Sequence, residues 1–139
     1  MSTEKKIKLN AYNLDDLNIF SFLCQDAIFN RDEFFYDRTK KFFVATLTRY
    51  CWEKEKSNDQ NINFRVISGL QFKNVNNIKF INFKSKISFY NLLAITCNEK
   101  NIILNFSMSA KIKLDCKEIN ATIEDIDIPW PTKIKPQHD

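Results

Sequence analysis

The chain is 139 residues long, a size at which a single hydrophobic core is the rule, and 44% of it is hydrophobic with 13 Phe, too apolar for a disordered segment. Its net charge of +4 hints at an acidic partner, yet only four of its 21 basic residues are arginine (Arg31, Arg38, Arg49 and Arg65). Arginine is the side chain that forks onto phosphates and guanines, so its scarcity weakens a nucleic-acid reading.

The first element is a half-buried strand, because Ile7-Lys8-Leu9-Asn10-Ala11 alternates apolar and polar side chains. A helix follows: Asn13 can cap it, Asp15 and Asp16 put negative charge in its first turn, and Leu17, Phe20, Cys24 and Ala27 recur at helical spacing. Ile19, Phe22 and Leu23 widen that stripe, which predicts a helix covered on more than one side. Ala27–Asn30 and Glu33–Tyr36 then read as two short strands or one bent strand, and Asp37–Lys41 as a polar turn into a long strand, Phe42–Trp52. Both faces of that strand are largely apolar, which predicts a central position.

Glu53–Asn63 is the most polar stretch and reads as an exposed loop. Further strands are expected at Phe64–Leu70, Ile78–Phe83, Leu92–Cys97, Ile102–Ser107 and Lys111–Cys116, with residues 98–101 as a hairpin loop. Asn supplies left-handed turn positions in a chain with one glycine. Glu118–Ile126 fits both helical and strand spacing; the helical reading is adopted. The result is an α+β single domain over residues 1–139, mostly antiparallel sheet or a partly open barrel, with an N-terminal helix, a short C-terminal helix and an extended tail over 128–139. A pleckstrin-homology-like barrel meets that description.

The familiar catalytic toolkits do not assemble. The one histidine, His138, is penultimate, and Cys24, Cys51, Cys97 and Cys116 are widely spaced with no C-x-x-C pair, so they read as reduced core residues. No catalytic residue, metal ligand or cofactor is assigned. With Gly69 alone, neither a P-loop nor a dinucleotide fingerprint can be written. Acidic neighbours such as Glu124-Asp125 read as ordinary surface charges. No apolar run approaches the ~18 residues of a membrane span, and the polar start Met1–Lys6 is unlike a signal peptide, so a cytoplasmic protein without a membrane partner is expected.

Two features suggest binding. Arg49 shares a strand face with Leu47 and Cys51, where a buried charge needs a partner, Glu118 or Glu53, or else anchors an anion or peptide. In Ile128-Pro129-Trp130-Pro131-Thr132, two prolines stiffen the backbone around an indole that either folds back on its own domain or docks into another protein. The basic and aromatic residues of Arg49-Tyr50-Cys51-Trp52 and Phe64-Arg65 imitate a single-stranded RNA surface, but Tyr50 and Trp52 fall on the face opposite Arg49.

Several segments carry a resemblance: Asp16-Leu17 to Leu23-Cys24-Gln25-Asp26-Ala27, Arg49-Tyr50-Cys51-Trp52-Glu53, Ser68-Gly69-Leu70-Gln71-Phe72, Leu92-Leu93-Ala94-Ile95-Thr96, and Cys116-Lys117-Glu118 through Pro129-Trp130-Pro131-Thr132 to Pro136-Gln137-His138. In this order they resemble the alphaproteobacterial family known as domain of unknown function 2948, over nearly the whole chain. The chain departs from the pattern in carrying Asp127-Ile128 where the family has a glycine. The resemblance implies a small bacterial cytoplasmic protein and no particular activity. The expected function is a non-enzymatic protein-binding or adaptor module using Arg49, Trp52, Glu53, Arg65 and Trp130. The alternatives are an enzyme or accessory subunit with an Arg/carboxylate pocket, and an RNA- or ribosome-associated factor.

Overall fold

The computed structural model describes residues 6–53 and 63–132. Among them are ten strands and one α-helix, in the order β1 (Lys8–Ala11), α1 (Leu14–Leu23), β2 (Ile28–Asp37), β3 (Phe42–Tyr50), β4 (Asn63–Phe72), β5 (Asn77–Ile81), β6 (Phe89–Cys97), β7 (Asn101–Phe106), β8 (Lys111–Asp115), β9 (Ala121–Asp125) and β10 (Trp130–Thr132). The strands pair antiparallel in the order β1-β9-β4-β3-β2-β6-β7-β8-β5, and β10 adds to β4 in line with β9. The sheet is not closed into a barrel: β1 and β5 are its two ends. The expected loop falls largely on residues 54–62, outside the described residues.

The period-two pattern of β3 is realised. Phe43, Ala45, Leu47 and Arg49 are buried on one face, and Val44, Thr46 and Thr48 are half-buried on the other. Hydrogen bonds to β2 and β4 on its two edges make it central. Of the two readings of residues 27–36, the bent strand is the one formed, with a register shift between Phe29 and Phe34. Residues 28–30 pair with β6, whereas the later half pairs only with β3, so the sheet curls over its core. Much of the phenylalanine converges there: Phe29 meets Phe106 edge-on at 5.2 Å, and Phe83 meets Tyr90 at 4.8 Å. Each such ring contributes about 1.5–3 kcal/mol by leaving water.

Helix α1 starts as its sequence dictates, with the Asp16 N–H donating to Asn13 Oδ1 at 2.8 Å. Leu17, Phe20, Leu23 and Cys24 are buried, but Ile19 and Phe22 are 52% and 50% exposed, so the helix is covered on one side only. Its buried side packs on β6, where the Ile95 N–H donates to Ser21 Oγ at 2.9 Å and satisfies an edge the bent β2 leaves open.

The C-terminal helix is not formed. Residues 121–125 are strand β9, paired with β1 on one edge and β4 on the other, and its alternate residues Ala121, Ile123 and Asp125 are buried. Helical spacing would have needed Ile126 in the core, where it is instead 56% exposed. Two ladders of backbone hydrogen bonds override a local ambiguity. Residues 130–132 of the expected tail fold back on the domain as β10, and residues 133–139 lie outside the described residues.

Cys24, Cys51 and Cys116 are buried and form no disulfide, while Cys97 is half-exposed at the core margin rather than inside it. Left-handed backbone occurs at Asn74 and Asn82, as expected, and also at Asp26, Lys41, Met108 and Ser109. Gly69 has ordinary strand geometry, and a Cβ there would meet Ile126 at 3.6 Å. Among the described residues no helix is long and apolar enough to cross a membrane.

Candidate functional site

The end of β3, the start of β4 and strands β9 and β10 meet at one corner, which brings together Arg49, Trp52, Glu53, Arg65 and Trp130. Register then divides them. Arg49 lies opposite Val66 and points to the core, whereas Tyr50, Arg65 and Trp130 form a cross-strand row on the outer face.

On the inner face Arg49 is completely buried, and every guanidinium nitrogen is used. Nη1 and Nη2 donate to the two Glu53 oxygens at 2.9 Å each, Nη2 donates to both Asp125 oxygens at 3.1 Å, and Nε donates to Asp125 and Ser68 at 3.2 Å. The Ser68 hydroxyl donates to Asp125 at 2.7 Å, and the Ile7 N–H donates to the other Asp125 oxygen at 2.8 Å. Burial alone would lower the Arg49 pKa; the hydrogen bond and charge of Glu53, with the charge of Asp125, outweigh it and hold the pKa above its ordinary value. Glu118, the other expected partner, is exposed and not in this network. A guanidinium with both carboxylates already engaged is a staple joining β3, β4 and β9, not a receptor.

The sequence reading missed Asp125 and Ser68. The signal was present once residues 121–125 are read as a strand: Asp125 shares its face with Ile123, and Ser68 shares its face with Val66 and Leu70, the same anomaly that singles out Arg49.

The outer face is different. The Arg65 guanidinium lies over the Tyr50 ring at 5.9 Å, and Trp130 is its register partner across β10. Trp52 meets Tyr50 edge-on at 4.6 Å and ties back to the helix by donating from Nε1 to the Gln25 carbonyl at 3.0 Å. The Tyr50 hydroxyl donates to Asn63 Oδ1 at 2.7 Å. Half-burial lowers the Arg65 pKa, opposed by Tyr50, Asp26 and Cys51. Its Nη1 is buried and has no hydrogen-bond partner. The interleaved cation and aromatic of the sequence are therefore real neighbours, but the cation is Arg65 rather than Arg49.

Two of the thiols are poor nucleophiles: burial pushes Cys24 up to about 12 and Cys116 to about 11. Arg49 and Arg65 point to opposite faces of the sheet, so the two arginines do not converge in one pocket of the kind the enzyme alternative calls for. Among the described residues no group of three His, Cys, Asp or Glu is placed to hold a metal.

A family profile described as Protein of unknown function (DUF2948) matches residues 7–138, and the chain belongs to that family. No curated protein and no solved structure matches it.

Proposed function

We propose that this family member is a binding module whose outer corner takes an acidic segment of another protein, with Arg65 receiving its carboxylate. One observation carries the reading: Nη1 of Arg65 is withdrawn from water without a hydrogen-bond partner. A buried charged donor left unmade costs stability, so its retention calls for an explanation, and a carboxylate oxygen supplies one. The surroundings suit a protein ligand. Arg65 sits in a row with the fully buried Tyr50 and the half-buried Trp130, and Trp52 packs on Tyr50; half-buried Arg and Trp side chains are of the kind that dominates binding energy where partners desolvate each other. The net charge of +4 favours an acidic partner.

The chain's two tryptophans, Trp52 and Trp130, both lie at this corner, so intrinsic fluorescence reports it directly. An array of short Asp- and Glu-containing peptides is probed with the full chain, and retained peptides are titrated by tryptophan emission. The expected result is saturable binding that needs the peptide carboxylate and weakens roughly tenfold or more in Arg65→Gln. An array without a retained peptide, or equal affinity in the variant, overturns the reading.

A further inference from the structure

At the far end of the sheet, the outer face of β5, β8 and β7 carries a hollow of about 240 Å³ lined by Asn77, Lys79, Lys100, Asn101, Lys113 and Asp115. We infer that it is an anion site for a phosphate-bearing ligand. The register builds it in two rows. Lys79 of β5 stands directly opposite Lys113 of β8, and beside them Asp115 is flanked by Asn77 and Asn101. The 98–101 hairpin adds Lys100.

Like charges directly opposite each other on one sheet face repel, and such a pair weakens the ladder that holds it. No ion pair among the described residues engages it: those found there join Lys8 to Glu124 and Arg49 to Glu53 and Asp125, and none reaches Lys79, Lys100 or Lys113. Three ammonium groups against the single carboxylate of Asp115 leave the lining two positive charges in excess. That excess matches a phosphate monoester, which carries about −1.5 to −2 at neutral pH. Lysine binds phosphate as a point charge, and the Asn77 and Asn101 amides add donors.

A lysine on an edge strand also discourages strand addition by another chain. That role accounts for Lys79 on terminal β5. It does not account for Lys113, whose strand is paired on both edges, or for Lys100 in a hairpin.

The experiment is a calorimetric titration of the full chain with pyrophosphate, paired with melting curves. Saturable binding that raises the melting midpoint and fades with added salt is expected. The variant Lys79→Gln/Lys113→Gln binds roughly tenfold more weakly or worse. Without ligand it melts no lower than the parent, because the repulsion is gone. Lys40→Gln, in the turn before β3, binds as the parent does. A single-stranded oligouridylate is titrated in parallel. Absence of saturable pyrophosphate binding, or binding indifferent to the double substitution, overturns the site. Oligouridylate bound where pyrophosphate is not overturns the phosphate-ligand reading in favour of an extended nucleic-acid backbone.

Discussion

Arg49 and Arg65 occupy adjacent rows of the same two strands, β3 and β4, one facing inward and one outward. Inward, every nitrogen of Arg49 finds an acceptor on Glu53, Asp125 or Ser68. Outward, Arg65 lies on an aromatic ring with one nitrogen unanswered. The same residue type is thus a fully paired staple on the inner face and, on the outer face, a half-buried cation over Tyr50 with the charge of Asp26 nearby.

The largest break in that comparison is Asp125→Ala. It leaves the buried Arg49 charge half-compensated and should cost about 3–5 kcal/mol in urea unfolding. A loss near that of a surface substitution would show that Arg49 is not held as a staple. Next comes Trp52→Ala. The indole is half-buried and packs on Tyr50 and Phe22, so the expected loss is about 2–3 kcal/mol, below that of a fully buried tryptophan, read from the same denaturation midpoints.

A smaller effect tests the environment beside the staple. Burial is the main cause that lifts the Cys24 pKa from 9.0 to about 12, with the Arg49 charge lowering it and that of Asp125 raising it. An acid that ionises later folded than unfolded lets the unfolded chain lose its proton first. Stability therefore falls as pH climbs from about 9 towards 12, and Cys24→Ala should flatten that part of the decline. Stability curves of the two proteins across that range check it. The smallest expected effect is Arg65→Gln, within about 0.5 kcal/mol of the parent in unfolding while peptide binding weakens roughly tenfold or more. A large destabilisation would make Arg65 a second structural cation and erase the contrast.

The strands were largely legible because their alternation coincides with burial. Phe43, Ala45, Leu47 and Arg49 of β3 face inward as the period-two pattern requires. Two features were not legible. Residues 118–126 satisfy both periods, and only pairing to β1 and β4, distant in sequence, selects the strand. Ile19 and Phe22 fit the apolar stripe of α1, but the helix lies on the sheet by its other side, so both stay about half exposed, with Trp52 against Phe22. At the corner, Arg49 announced itself as a charge on an apolar face, and its need for a partner was stated correctly for Glu53. Arg65 gave no such signal. Its position over Tyr50 follows from the β3–β4 register, which local sequence does not encode.

The left-handed turns carry a consequence for how this protein can change. Lys41 and Met108 hold φ values of 57° and 59°, where a side chain crowds its own carbonyl, while the chain's single glycine lies in a strand. Part of the fold's potential robustness is thus unspent. Exchanging Lys41 for glycine removes that crowding without disturbing a core contact, so tolerance to heat is within reach of single substitutions far from either arginine.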